Sequence, residues 1–300
     1  MLKNYEGIKK EEFMFAGGRS CPGCGGGILT RLFLKELGGG NFVCPAVGSC
    51  GTNTTGMFPI GPMARAGVAC SMLGAQGAVA SGARVALDAI GKEDVQVVGI
   101  VGDGDAGDIG FGNISAMVER GHKICLVVVD NQGYAATGGQ RSGLTPLKAW
   151  TRTTQSGKSR APKILPFIFM AHNIPYTASA SVAYPEDLYA KIKKALDKKN
   201  QPSIIQCLCP CIVNWKIEPK RMVEVARLAV ETGVYPLYEY ERGSFRRTVF
   251  IKERKPIQEY LKLQGRYAHV TGQDIKELEE YRNWLDRQIE GYLRFYSVEI

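Results

Sequence analysis

Histidine is scarce in this 300-residue chain. There are three, too few for a metal centre built mainly from imidazole. Secretory features are missing too: the opening stretch MLKNYEGIKKEEF is polar and holds no apolar h-region. The longest apolar tract, residues 63–90, is rich in small side chains and is interrupted by Arg65, Gln76, Arg84 and several glycines. It lacks the leucine-like bulk of a bilayer span, so the expected setting is the cytoplasm, with no membrane partner. Nor is there an internal repeat, a low-complexity segment or a nucleic-acid-binding motif. The formal charge of +9 therefore reads as a solvated surface or a protein-docking face, not a nucleic-acid interface. Much of the excess falls in the last third, at Lys216, Lys220, Arg221, Arg246, Arg247, Lys252, Arg254 and Lys255.

Cysteine, by contrast, is plentiful. Nine thiols in a cytosolic chain stay reduced, so they are core residues or metal ligands. SCPGCGGG places Cys21 and Cys24 in a tight CxxC turn with free amides around it, a pattern shared by redox pairs, zinc half-sites and halves of iron–sulfur sites. A zinc ribbon needs a second CxxC, and none exists. Cys207, Cys209 and Cys211 alternate, so on one strand all three would face the same way. They would not all reach one metal, but Pro210 ends the strand and frees Cys211 to point inward. A four-thiolate site needs the CxxC and two distant partners. Cys50 and Cys211 are best placed for a [4Fe–4S] site, a selection the residues alone leave open. Cys44, Cys70 and Cys125 read as packing residues.

Apolar runs alternate with helical patterns as in βαβ units. Strands are expected at 41–47, 95–101, 123–130, 176–180 and 203–208, and helices at 26–37, 63–90, 109–120, 164–172 and 185–198. Strands made of consecutive Val, Ile and Leu are buried on both faces. The fold class is therefore α/β, a mostly parallel sheet with helices on both faces. Residues 1–213 read as this domain with its N-terminal cysteine segment. Residues 214–300 read as a mainly helical extension packed on it, with helices at 219–231 and 274–292 and a possible hairpin between. The stretch 131–162 is long, rich in Gly, Thr and Ser, and without periodicity, which marks a functional loop.

The chemistry concentrates where VQVVGIVGDGDAGDIG ends a strand in glycines and carboxylates. Asp103 follows this strand and Asn131 ends the next one, KICLVVVD. With a helix between, both emerge side by side at the carboxyl edge of the sheet, where open α/β sheets bind ligands. A carboxylate, an amide oxygen and a nearby carbonyl, for which Gly133 is the candidate, suit Mg²⁺. Such a cation completes its octahedron with phosphate oxygens. Gly104, Ala106 and Gly107 leave backbone N–H groups free for close approach, Gly102 belongs to the same cofactor-binding loop, and the following helix presents its positive end. Asp105 and Asp108 either line the pocket or cap that helix, capping being the simpler role. Tyr134, Thr137, Gly138 and Gln140 are candidates for the cofactor loop. The spacing GDG-x26-N resembles the thiamine diphosphate signature.

Taken together, the two motifs resemble the β subunit of pyruvate and related 2-oxoacid:ferredoxin oxidoreductases, along nearly the whole chain. The resemblance rests on CPGCGGG, GSC at Cys50, GDGDAGDIGFGNISAMVERGHKI, VVDNQGYAATGGQRSGLTP, IPYTASASVAYPEDLYAKIKKAL, PCIVNW at Cys211, ARLAVETGVYPLYEYERG and KPIQEYLKLQGRY. It implies thiamine diphosphate held by this chain, Mg²⁺ on Asp103, Asn131 and the Gly133 carbonyl, and a [4Fe–4S] cluster on Cys21, Cys24, Cys50 and Cys211. The implied reaction is oxidative decarboxylation of a 2-oxoacid, with the thiazolium ring as electron sink and electrons leaving one at a time for ferredoxin.

The glutamate that activates the aminopyrimidine and the ferredoxin-type CxxCxxC run have no counterpart here. The resemblance assigns them to partners, a pyrimidine-binding subunit and a ferredoxin-like cluster subunit. Two departures bear on the substrate. Ala136 stands where pyruvate-type members commonly carry asparagine, and GTNTTGMFP follows Cys50 in place of a CLEI-like text. They admit another short oxoacid, oxalate being one candidate because it has no methyl group to accommodate. Two rival readings stay open: a thiamine diphosphate decarboxylase or synthase without clusters, and a zinc-binding structural subunit.

Overall fold

The computed structural model describes residues 7–14, 20–48 and 67–296. Cys50 and the GTNTTGMFP stretch lie outside these residues. Eight strands form one sheet: β1 Phe42–Val47, β2 Gly67–Cys70, β3 Gln96–Gly102, β4 Ile124–Asp130, β5 Tyr176–Ser181, β6 Ser203–Leu208, β7 Tyr238–Glu241 and β8 Ser244–Arg247. Their order is β2-β1-β3-β4-β6-β5-β7-β8. The first six run parallel, and β7 and β8 add an antiparallel hairpin beside β5. The expected hairpin thus exists, and it extends the main sheet.

The central strands need no polar face, because alternate residues enter different cores. Val98 and Ile100 of β3, with Cys125, Val127 and Val129 of β4, pack toward helices α1 Gly25–Leu37 and α5 Pro185–Leu196 through Leu29, Phe33, Leu188 and Ile192. Val97 and Val101, with Ile124, Leu126 and Val128, pack toward helices α2 Gln76–Ala89, α3 Phe111–Glu119 and α4 Leu165–Met170 through Ala80, Ile114, Met117 and Phe169. Each Val, Leu, Ile, Phe or Met side chain among them contributes about 1.5–3 kcal/mol on removal from water, so the sheet is anchored from both sides. Beyond it, helices α6 Met222–Glu231, α7 Ile257–Leu261 and α8 Gly272–Phe295 cover the β5–β8 end. Tyr238, Phe245, Leu285 and Ile289 form a third core there. No helix among the described residues is long and apolar enough to cross a membrane.

The helix expected over 63–90 is corrected. Residues 67–70 are a strand paired with β1, and the helix begins only at Gln76. The break is Gly74, whose φ of 84° turns the chain; small residues had masked a strand, a turn and a helix as one apolar run. The basic residues of the last third are largely paired locally: Arg246 with Glu239, Arg247 with Glu290, Arg254 with Asp286, and Lys255 with Glu231.

Candidate functional site

Chain direction reverses between β1 and β3. From β1 the chain moves outward to β2, and from β3 it moves the other way to β4. Ligands of open α/β sheets sit at the carboxyl ends of strands at such a switch point. Asp103, just past β3, and Asn131, just past β4, stand on this rim. They are 1% and 3% exposed.

The inward end of the Asn131 amide lies 3.1 Å from Asp103 Oδ1 and 2.6 Å from the Gly133 carbonyl oxygen. With its nitrogen inward, both contacts are hydrogen bonds. With its oxygen inward, three oxygens converge, an arrangement that a cation between them would satisfy. Neighbouring ligands on an octahedron with roughly 2.1 Å bonds are separated by about 3 Å, so the observed spacing fits a magnesium-sized ion. Sequence reading paired Asp103, Asn131 and Gly133, and the fold brings them together.

Burial pushes the Asp103 carboxyl well above the usual carboxylate range, and the charge of Asp130 adds to the shift. Asp130, also buried, is pushed up to about 6, again by burial. One of its oxygens accepts from Gln206 Nε2 at 2.6 Å and from the Tyr235 hydroxyl at 3.3 Å; the other has no partner. The two carboxyls share one dry rim, where the hydrogen bonds from Gln206 and Tyr235 and the Arg266 charge favour ionisation of Asp130.

Around this triad, the GDG loop is closely covered. Gly104 lies under the Tyr134 ring, where a Cβ would come within 2.4 Å of a ring carbon. The Tyr134 hydroxyl donates to the Gly104 carbonyl at 3.1 Å. Gly102 ends β3, and Ala106 is fully buried within the wide turn Asp105–Ile109. Neither Asp105 nor Asp108 caps α3, which corrects that expectation: the wide turn carries both carboxylates away from the helix. Asp105 Oδ1 accepts from Gly74 N at 3.0 Å. Asp108 accepts from Gly143 N at 2.6 Å and pairs with Lys163 at 2.9 Å. Thr137 sits at the exposed tip of the Tyr134–Gln140 turn, with its hydroxyl on Gln140 Oε1 at 2.6 Å.

A second group meets the first. Cys21, Cys24 and Cys211 line one hollow of about 250 Å³ with Cys209, Asn131, Ala135 and Ala136. The geometry follows from the glycines. Gly23 takes φ 83° to close the CxxC turn, and Gly25 packs so closely on Cys209 that a Cβ would lie 2.9 Å from its Cα. This contact seats the start of α1 against the Cys209–Cys211 segment. The strand β6 ends at Leu208, so Cys211 does not share the direction of Cys207 as the alternation implied. Cys207 is fully buried in the core. Burial raises the Cys24 and Cys211 thiols, while N–H groups of Gly26 and Gly27, and of Val213 and Asn214, favour their thiolates. Among the described residues, no three His, Cys, Asp or Glu side chains close on a single ion. The thiols instead border a space with room for a group that has its own bulk. Cys44 and Cys125 are core residues, as expected of them, whereas Cys70 is exposed.

Sequence reading missed Ser142 and Thr145, which bond within the site, and the Asp130–Gln206–Tyr235 set. Ser and Thr in a glycine-rich loop carry no signal distinguishing a site from a turn. Only the short distance to Asp103 identifies Ser142.

The model of the thiamine pyrophosphate enzyme, C-terminal TPP binding domain, matches residues 46–207. The pyruvate synthase subunit PorB of Methanocaldococcus jannaschii is 40% identical over 284 residues, covering 91% of this chain and 94% of that protein. The ketoisovalerate oxidoreductase subunit VorB of Pyrococcus horikoshii is 41% identical over 287 residues, covering 91% of each. Among solved structures, a chain of the 2-oxoglutarate:ferredoxin oxidoreductase from Magnetococcus marinus, with 2-oxoglutarate, coenzyme A and succinyl-CoA bound, aligns with a TM-score of 0.58. It is 22% identical and covers 76% of this chain and 84% of its own, a likeness of fold.

Proposed function

The chain belongs to the β subunits of the 2-oxoacid:ferredoxin oxidoreductases, and on that premise we propose that it holds the diphosphate end of thiamine diphosphate and, beside it, an electron-accepting [4Fe–4S] cluster. The reaction is oxidative decarboxylation of a short 2-oxoacid, pyruvate or a relative such as oxalate, with ferredoxin receiving the electrons. The observation that carries this reading is the shared hollow: Asn131, of the oxygen triad, lines the same space as Cys21, Cys24 and Cys211. A decarboxylase without redox steps has no use for thiols there.

Asp103 Oδ1, Asn131 Oδ1 and the Gly133 carbonyl would hold Mg²⁺. Backbone N–H groups from Gly104 to Ala106, at the start of a helical turn without intrahelical partners, would face the diphosphate. Tyr134 packs over this loop and limits water. When bound, the thiamine cofactor supplies an electron sink for the bond to carbon dioxide, and the cluster accepts electrons singly. Cys21, Cys24 and Cys211 would hold the cluster, with Cys50 as the fourth ligand. Amide N–H groups on the Cys24 and Cys211 sulfurs stabilise thiolate character. Ala135 and Ala136, whose side chains are single methyl groups, line the hollow, which leaves the substrate's size to be set partly by other subunits. The pyrimidine end and the distal clusters are assigned to those subunits.

The test uses the complex purified anaerobically with its partner subunits. A spin-half [4Fe–4S] signal after dithionite, together with reduction of ferredoxin by one member of a panel of pyruvate, 2-oxoisovalerate, 2-oxoglutarate and oxalate, supports the reading. An iron-free complex that still decarboxylates would overturn its redox half. Asp103→Ala is expected to abolish activity and leave the iron content unchanged.

A further inference from the structure

Asp103 has two carboxylate oxygens, and the fold treats them differently. Oδ1 faces Asn131, whereas Oδ2 accepts the Ser142 hydroxyl at 2.5 Å. With Asp103 ionised, as cation binding requires, the proton of this contact belongs to Ser142. Ser142 Oγ already accepts from Leu144 N at 3.2 Å. The nearby Thr145 hydroxyl accepts from Ser142 N at 2.9 Å and donates to the Gln132 carbonyl at 2.8 Å. With each rotor fixed by its neighbours, Ser142 O–H points at Asp103 Oδ2.

The turn that presents this hydroxyl is fastened at every residue. Gly143 N donates to Asp108 Oδ2, and a Cβ on Gly107 would strike the Leu144 side chain. Lys158, 2% exposed, donates to the Gly143 and Thr145 carbonyls at 2.9 and 2.6 Å. Thr145, through Gln132, reaches the loop that carries Asn131 and Gly133. The turn 142–145 therefore ties the two halves of the oxygen triad to each other.

We propose that Ser142 is a positioning residue that keeps Asp103 a one-oxygen ligand and so selects a small octahedral cation over a larger one. Mg²⁺ demands six well-placed oxygens, whereas Ca²⁺ takes six to eight and readily accepts a carboxylate through both oxygens. Occupying Oδ2 with a hydrogen bond withholds the second oxygen. Released from Ser142, the carboxylate is free to turn and offer both. This inference rests on the oxygen triad being the cation site proposed above.

The experiment measures binding of Mn²⁺, as a spectroscopic stand-in for Mg²⁺, by EPR of the free ion in the full complex with thiamine diphosphate. Ca²⁺ is then titrated in competition. For Ser142→Ala, Mn²⁺ affinity is expected to fall about 10–100-fold, as for other outer-shell partners, and Ca²⁺ affinity to fall much less, so that the Mn²⁺/Ca²⁺ ratio drops at least about tenfold. Ser142→Thr, which keeps the hydroxyl, should restore the ratio. Thr145→Val removes the tie to Gln132 while leaving the Ser142 hydroxyl; it should weaken both ions with little change in their ratio, and it serves if Ser142→Ala does not fold. Equal losses for both ions in Ser142→Ala, or none, overturn the selective role. A wild-type complex that takes up no Mn²⁺ overturns the oxygen-triad reading and this inference with it.

Discussion

The indole Nε1 of Trp215 donates to the carbonyl oxygen of Asn131 at 2.8 Å, and Trp215 N donates to the Cys211 carbonyl at 3.0 Å. One buried residue thereby joins, through its backbone and its side chain, the turn bearing a candidate cluster thiol to the loop bearing a candidate cation ligand. Arg266 stacks on the other side, its guanidinium carbon 3.6 Å from the indole centroid, and donates to Gln132 Oε1 at 2.8 Å.

Trp215→Phe should keep the packing and lose the donor. Leaving a buried carbonyl unpaired costs about 1–3 kcal/mol, which urea denaturation of the anaerobic protein will read as a lower midpoint at unchanged slope. If the two sites are coupled through this contact, the cluster EPR line shape changes on adding Mn²⁺ in the wild type and less so in the variant.

Cation binding should strengthen as pH rises through about 6. Asp130 in the folded chain is pushed up to about 6 by burial, so below that pH it is neutral and draws a cation less. Asp103, raised by burial and by Asp130, lets protons compete directly. The same shift has an opposite sign for stability. A carboxyl raised above its unfolded value favours the fold below about pH 4, and that contribution is lost as pH rises through about 6. Asp130→Asn should accordingly flatten the pH dependence of Mn²⁺ affinity between pH 5.5 and 7.5. A profile as steep as the wild type's would remove Asp130 from the account.

Cys24→Ser and Cys211→Ser should each lower iron content and distort or abolish the reduced EPR signal. Cys44→Ala, deep in the core at 2% exposure, should lose some stability and keep its iron. Iron analysis of the three variants purified side by side decides between ligand and packing roles.

Gly25→Ala probes how the cysteines are brought together. Its added Cβ would meet the Cys209 backbone at 2.9 Å, and overpacking of this kind costs about 1–3 kcal/mol. The start of α1 must then move off the Cys209–Cys211 segment, so iron retention should fall although no ligand has changed. Gly27→Ala, at a position with nothing within 4 Å, is the control and should behave as wild type.

The parts of the molecule legible in sequence share a cause. Five strands and their helices were readable because β-branched runs buried on both faces leave a continuous apolar trace. The triad of Asp103, Asn131 and Gly133 was readable because the helix between two adjacent parallel strands fixes its own spacing. Where side chains are small, that trace fails: residues 67–90 read as one helix, although Gly74 separates strand from helix. For Asp105 and Asp108 capping read as the simpler of two roles because their partners, Gly74 N and Gly143 N, are 31 and 35 residues away and leave no local mark. Ser142 is hidden for the same reason, as its acceptor lies 39 residues back.

Six parallel strands send every carboxyl end to a single rim, while the alternating side chains beneath answer only to the two cores. Variation therefore has a natural place to accumulate. A library confined to rim positions such as Ala135 and Ala136 can recast the shape of the hollow without touching a strand. Such an architecture permits divergence in what is admitted, on a frame that need not be rebuilt to admit it.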